Sequence, residues 1–328
     1  MSDDLLYYVF IPVSAAVASI WIIRKIREFQ WGWVKDKYPL NDRIYIITGA
    51  NTGLGFETTK ALVCRGGTVI MACRSLERAN EAISKIRQVT GEGTMIPLCL
   101  DLGSFDSIEK FADKIKDEYS NFNCLIENAG LAVNGDEKTT EGFEVHFGVN
   151  HLGHFFLTDL LKDVIKSNNS RIVVVSSRMH ERAKIDFDNL GKYVAPKPGD
   201  RMNHMYNNSK LMNFYFARQL YKQGYDAHVL CPGLCHTDFF RHYNPKWYHY
   251  VLFSPIAWWY LRSGEQGAQN IIYAATDNIN TTTKNPANGY IIKDMKQAKS
   301  RVTFSDEIGD RLWNESMKLC RLARTLKK

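Results

Sequence analysis

Tyr206 and Lys210 stand four residues apart in Tyr206-Asn207-Asn208-Ser209-Lys210. On a helix such positions share a face, so the lysine lies one turn from the tyrosine. A free phenol titrates near ~10 and exchanges protons poorly at neutral pH. A neighbouring ammonium favours the phenolate and draws that value down. The pair therefore suits general acid–base work at a carbonyl or carbinol oxygen. Ser177 follows the apolar run Ile172 to Val175, where its hydroxyl can reach the same oxygen. Tyr193 and Lys197 repeat the spacing, but Pro196 lies between them in a loop and nothing orients that pair.

A second group of residues suits phosphate. Thr48-Gly49-Ala50-Asn51-Thr52-Gly53-Leu54-Gly55 follows a short apolar run and opens a helical pattern. Gly49 permits a tight turn, Gly53 lets the backbone approach a pyrophosphate, and Gly55 lets helix and strand pack closely. The N–H groups and positive dipole end of the helix then face the phosphates, with Asn51, Thr52 and Leu54 in the turn. After the second apolar run, Cys73-Arg74-Ser75 stands where an acidic residue would bind the ribose hydroxyls of NAD. A carboxylate would repel a 2′-phosphate, whereas Arg74 can pair with it bidentately, so the expected cofactor is NADP(H). The bland alternative is a solvated arginine stacked on the adenine with no selectivity. Asp101-Leu102 closes the third run beside the expected adenine, although Asp101 could equally cap a helix. Asn128-Ala129-Gly130 closes the fourth, with small residues where the backbone passes a ribose.

These motifs need elements to hold them. Short apolar runs at Ile44 to Ile47, Thr68 to Ala72, Met95 to Leu100, Cys124 to Ile126, Ile172 to Val175 and Ala227 to Leu230 alternate with helical patterns. The helices are expected at Leu54 to Arg65, Leu76 to Val89, Phe105 to Tyr119, Gly142 to Lys166 and Asn203 to Tyr221. That alternation predicts an α/β fold, a doubly wound parallel sheet with helices on both faces. Two segments break the rhythm. Residues 178–202 form a loop around Pro196, Pro198 and Gly199. Residues 236–263 hold ten aromatic side chains, Trp258 and Trp259 among them, too many for a plain connection.

The 328 residues can bury one large core. The net charge of +7 is spread along the chain with no interleaved basic and aromatic module, which argues against nucleic acid. Seven cysteines, an odd number without CxxC pairs, read as reduced thiols. The nine histidines lack metal-ligand spacing, so no metal is expected.

Residues 5–23 carry no charge, and nineteen helical residues span about 28 Å, close to a bilayer's hydrocarbon thickness. Tyr7, Tyr8 and Trp21 lie near the two ends, and Arg24-Lys25-Ile26-Arg27 follows as a stop signal. The expectation is one N-terminal transmembrane helix within an anchor at residues 1–30, ahead of a single catalytic domain at residues 40–328. A cleaved signal peptide and a buried helix of the catalytic domain are the competing readings. The basic cluster places the domain on the cytosolic side. The sequon Asn207-Asn208-Ser209 inside the proposed active-site helix agrees, since a sugar there would wreck the site.

Taken jointly, these motifs resemble the short-chain dehydrogenase/reductase family over about residues 40–265. The resemblance implies a Rossmann-type sheet and assigns Gly49, Gly53 and Gly55 to the cofactor loop. It implies Ser177, rather than Ser176, as the catalytic serine, Tyr206 as the catalytic tyrosine, and Lys210 as the lysine that also holds the nicotinamide ribose. Asn150, in Val149-Asn150-His151-Leu152-Gly153-His154-Phe155, matches the asparagine supporting a water-mediated proton relay. Pro232-Gly233 and Thr237 match the segment flanking the nicotinamide. Within the family the chain is most similar to the retinol dehydrogenase group, which implies interconversion of an apolar alcohol and its aldehyde or ketone, retinol and retinal first. Two residues depart from the pattern: Glu127 stands where an asparagine usually precedes Asn-Ala-Gly, and Cys231 replaces a common histidine. The expected setting is the endoplasmic-reticulum membrane, with the substrate reached through the segment at about 236–265. A reductase of sterols, isoprenoid or fatty aldehydes or xenobiotic carbonyls is the alternative in the same class. A non-catalytic membrane-tethered binding protein is the alternative in another. Oligomeric state is not legible.

Overall fold

The computed structural model describes Tyr8 and residues 10–35, 38–195, 204–235, 261–276 and 285–325. Thr237, the aromatic stretch at 236–260 and the rival Lys197 lie outside the described residues.

In chain order the elements are α1 (Ile11–Trp31), β1 (Ile44–Thr48), α2 (Gly53–Val63), β2 (Thr68–Cys73), α3 (Leu76–Thr90), β3 (Met95–Cys99), α4 (Phe105–Glu118), β4 (Cys124–Glu127), α5 (Gly153–Asn168), β5 (Arg171–Val175), α6 (His204–Lys222), β6 (Ala227–Leu230), α7 (Gly264–Thr276), β7 (Tyr290–Lys293), β8 (Lys296–Lys299) and α8 (Asp306–Thr325). The sheet order is β3-β2-β1-β4-β5-β6-β7-β8, parallel throughout except for the β7–β8 hairpin. The order reverses between β1 and β4, the switch point where ligands bind in open α/β sheets. The strands read as continuous apolar runs because helices cover both faces. Ile46, Ile70, Leu125 and Val174 pack under α4, α5 and α6, whereas Ile47, Met71, Ile126 and Val173 pack under α2, α3 and α7.

The structure departs from the sequence reading in three places. The long helix expected from Gly142 to Lys166 is broken: a single turn at Val145–Phe147 leads into a π-helical turn, Gly148–Leu152, before α5 begins. The β7–β8 hairpin and the helices α7 and α8 complete the sheet and its cover beyond the last strand that the sequence indicates.

The third correction concerns the N-terminus. Among the described residues no helix is long and apolar enough to cross a membrane. Residues 5–7 and 9 of the expected span lie outside the described residues, and α1 instead runs on to Trp31, taking in the charges of Arg24, Lys25, Arg27 and Glu28. The supposed stop signal is partly a docking contact. Arg24 is buried, donates Nη1 to the Leu261 carbonyl at 2.8 Å and pairs with Glu28 at 2.9 Å. Before it, Ile11, Val13, Val17, Ile20, Trp21, Ile22 and Ile23 are exposed.

Candidate active site

The glycine turn is built from the end of β1. Gly49 and Gly53 have φ of +67° and +55°, in the region that favours glycine. At Gly55 the constraint is space: a Cβ there would lie 2.3 Å from the Gly49 carbonyl oxygen and 2.7 Å from Asn128 Nδ2. Asn128 donates Nδ2 to Thr48 O at 2.9 Å, and the Thr48 hydroxyl accepts from the backbone N–H groups of Asn128 and Ala129 at 3.0 and 2.9 Å. The loop after β1 is thus tied to the loop after β4.

A cleft of about 470 Å³ opens over these loops. Gly49, Asn51, Thr52, Gly53, Leu54, Arg74, Asp101, Leu102, Asn128, Ala129 and Gly130 all line it, and Gly55 supports it from below. Asp101 does two things: it faces the cleft, and its Oδ1 accepts from Gly103 N at 2.9 Å, holding the turn before α4. The N-cap of α4 is Ser104. Arg78, Ser75 and Val149 also line the cleft and escaped the sequence reading. Arg78 was legible in principle, being four residues beyond Arg74 in the first turn of α3, where Ser75 Oγ accepts from its backbone N–H at 3.2 Å.

At the other end of the switch point, α6 presents the tyrosine and lysine. Tyr206 is half-buried, and Lys210 Nζ lies 5.7 Å from the centre of its ring. Lys210 is buried and donates Nζ to Val175 O at 3.1 Å. Burial brings its ammonium down to about 8. Ser176 and Ser177 have different partners. Ser176 is buried and donates to Lys210 O at 2.8 Å, whereas half-buried Ser177 caps the turn Arg178–Arg182 by accepting from Met179 N at 3.3 Å. A Cβ built on Gly130 would lie 3.3 Å from Lys210 Nζ and 3.4 Å from Asn150 Oδ1, so one glycine keeps this corner open.

Asn150 sits in the π-helical turn, and its side chain clamps three elements. It exchanges two hydrogen bonds with Leu131, Nδ2 to O at 3.0 Å and N to Oδ1 at 2.9 Å, and donates to Ser209 Oγ at 3.0 Å. Ser209 in turn donates to Tyr206 O at 2.8 Å. The Asn150 backbone carbonyl accepts from His154 Nδ1 at 3.2 Å. Because a carbonyl only accepts, His154 Nε2 is left to accept the Thr48 hydroxyl at 2.9 Å. Burial holds His154 neutral, with its pKa at about 3. The glycine loop and the asparagine are therefore joined through one neutral ring, a link that neither motif advertised.

Two further buried groups lie close by. His146 pairs with Glu144, accepts from Val133 N at 3.1 Å, and places its ring 6.4 Å from that of Tyr206. Glu127 is buried under Asn128 and accepts from the Thr158 hydroxyl at 2.6 Å. Desolvation pushes its carboxyl up to about 8, so the departure noted in sequence is accommodated as a neutral acid. Asn207, the sequon acceptor, is buried, which closes it to a sugar in the folded chain. Among the described residues no cluster could hold a metal ion.

Comparison with known proteins decides the family. The short chain dehydrogenase family model matches residues 43–247. This chain belongs to that family. Human polyprenol dehydrogenase is 32% identical to this short-chain dehydrogenase over 320 residues, 94% of each chain. Human retinol dehydrogenase 12 is 35% identical over 301 residues, 90% of this chain and 92% of its own. A solved structure of an uncharacterized protein from Mycobacterium Paratuberculosis superposes with a TM-score of 0.61 at 27% identity, covering 87% of this chain and 95% of that one. The protein is thus an oxidoreductase of the short-chain dehydrogenase class, similar to enzymes named for retinol and for polyprenol.

Proposed function

We propose that the chain is an NADP(H)-dependent oxidoreductase interconverting an apolar alcohol and its aldehyde or ketone, with retinol and retinal the first candidates. The observation that carries the cofactor reading is the pairing of Arg74 and Arg78 on the wall of one cleft, where the end of β2 offers no carboxylate. Two guanidinium groups suit a 2′-phosphate. The cradle fits a dinucleotide: Gly49 and Gly53 give the cleft wall left-handed backbone, Gly55 lets the turn pack closely against Asn128, and the N-terminus of α2 faces the same space.

A bound nicotinamide supplies or accepts the hydride at the substrate carbon. Tyr206 Oη donates its proton to the carbonyl oxygen in reduction and takes the carbinol proton in oxidation. Lys210, buried one turn away, stabilises the phenolate electrostatically in a setting where water screens little. Ser177 Oγ accepts from Met179 N, so its own proton is free to donate to the substrate oxygen. The Asn150–Ser209–Tyr206 chain fixes the first turn of α6 against the loop after β4. Pro232 and Gly233 flank the nicotinamide.

An isoprenoid alcohol longer than retinol is the second reading, favoured by the coverage of the polyprenol relative, whose match extends over nearly the whole chain. The exposed apolar residues of α1 support attachment to lipid, in keeping with an endoplasmic-reticulum membrane and a cytosol-facing domain. The test is turnover of the purified full chain on retinal, a C20 isoprenoid aldehyde, a polyprenal, a sterol ketone and a short aldehyde, each with NADPH and NADH. Retinal or isoprenoid turnover with NADPH supports the reading. Absence of turnover on every substrate, with dinucleotide still bound, favours a binding protein.

A further inference from the structure

The last turn of α1 does not end free. Trp31 is buried, and two guanidinium groups lie over its ring, with Arg24 Cζ 4.8 Å and Arg262 Cζ 4.9 Å from its centre. The next residue, Gly32, has φ +77° and abuts Met295 so closely that a Cβ would lie 2.3 Å from the Met295 methyl. Val34 N donates to Gln269 on α7 at 3.0 Å. Arg24 reaches Leu261 O, and Arg262 pairs with Asp294 in the β7–β8 turn. Two large buried side chains of α1 and the buried Arg262 from a distant part of the sequence make this a built interface.

The far side of Arg262 meets the loop after β6. Its backbone N–H donates to Leu234 O at 2.8 Å, and its backbone bridges to Cys235. Its side chain lies against Gly233, where a Cβ would come within 2.5 Å of Nε and 2.7 Å of Cζ. Gly233 has φ +90°, a conformation that favours glycine. Arg262 is 5% exposed, and its Nη1 has no hydrogen-bond partner among the described residues. Among the described residues, that guanidinium is held by the Trp31 indole, by Asp294 and by the close approach of the loop at Gly233.

We propose that the docked end of α1 is a positioning element for the nicotinamide half of the cofactor site, with Trp31 and Arg262 the positioning residues. Trp31 fixes the plane of Arg262, and Arg262 fixes the loop Cys231–Cys235. The N-terminal helix then does more than attach the protein to lipid: its membrane-facing part and its docked turn are continuous, so the active-site loop is braced by the element that meets the bilayer. This inference rests on the reading that Pro232 and Gly233 flank the nicotinamide, and the adenosine end of the cleft gives an internal control because Trp31 is absent from its lining.

The experiment uses the full chain carrying Trp31→Ala, Trp31→Phe or Phe29→Ala, the last an exposed neighbour on the same turn. Binding of NADPH is compared with binding of 2′,5′-ADP, which occupies only the adenosine half, beside thermal unfolding and flotation on phosphatidylcholine vesicles. For Trp31→Ala the NADPH dissociation constant rises about tenfold while that of 2′,5′-ADP moves less than about twofold, the difference expected when a desolvated cation–π contact is lost at one end of the site. Trp31→Phe recovers most of the loss, and Phe29→Ala matches the unmutated chain. Equal weakening of both ligands, or a fall in unfolding temperature with no difference between them, means that Trp31 only packs the domain and overturns the proposal. Unchanged binding of both also overturns it. A chain that prefers NADH is read the same way with NADH and ADP, which separates failure of the cofactor reading from failure of this one.

Discussion

Replacing Arg74 and Arg78 by alanine tests the cofactor preference with a magnitude drawn from the structure. Both side chains line the cleft, at the end proposed for the adenosine, and both residues are exposed. A hydrogen bond to a charged group is worth about 1.5–3 kcal/mol when shielded. Exposure moves each contact towards the surface ion-pair range, so about 1 kcal/mol apiece is the appropriate figure. Arg74→Ala should then weaken NADPH binding about fivefold, and the double variant about 30-fold, at 1.4 kcal/mol per decade. NADH lacks the 2′-phosphate and should shift by less than about twofold in either variant. Because the contact is screened, the gap between the two dinucleotides should narrow as ionic strength rises towards ~1 M, where the Debye length falls to ~3 Å. Titration calorimetry of both dinucleotides at low and high salt provides the measurement. Equal affinity of the unmutated chain for NADPH and NADH would refute the reasoning. So would a double variant that loses both in parallel.

Other perturbations follow from single contacts. Glu127 has its folded pKa raised from 4.5 to about 8 by burial, so its neutral form is the one the fold accommodates. Its stabilising contribution is full below pH ~4.5 and is lost as pH rises towards ~8, a change of about 3–5 kcal/mol at most. Glu127→Gln retains an acceptor for Thr158, and urea unfolding should show a flatter stability profile across that window with a gain at pH 8; an unchanged profile contradicts the assignment. Gly55→Ala places a methyl against the Gly49 carbonyl and should cost about 1–3 kcal/mol of stability and abolish measurable dinucleotide binding, which thermal unfolding and fluorescence titration would report. Deleting residues 1–23 removes the exposed apolar part of α1 but keeps Arg24 and Trp31. That chain should no longer float with vesicles while still reducing a short soluble aldehyde, and persistent flotation would show that lipid is met elsewhere.

The parallel strands β1 to β6 were legible because burial on both faces leaves uninterrupted apolar runs, as in Ile44 to Ile47 and Ile172 to Val175. The hairpin was not. Its edge strand reads Lys296-Gln297-Ala298-Lys299, and the turn needs left-handed backbone at Asp294 and Met295, which neither residue type announces. The π-helical turn at Asn150 was hidden for a related reason: apolar periodicity continues through it, while the extra residue per turn shows only in the backbone. At the site, residues on one loop or helix turn were read from spacing alone, as with Gly49, Gly53 and Gly55 or Tyr206 and Lys210. Residues that act through distant partners were not. His154 bridges Thr48 and Asn150, and Arg24 was taken for a topogenic charge because its acceptor, Leu261, lies 237 residues away.

The central claim is that Tyr206 transfers the proton in an oxidoreductase reaction. Its most direct test is single-turnover reduction of retinal by NADPH in the full chain, comparing Tyr206 with Tyr206→Phe at equal cofactor occupancy. The substitution keeps the ring beside His146 and Lys210 and removes only the hydroxyl. The rate of NADPH oxidation should fall at least ~100-fold, the low end for general acid catalysis, with cofactor affinity unchanged. A variant that oxidises NADPH at near the unmutated rate would contradict the account.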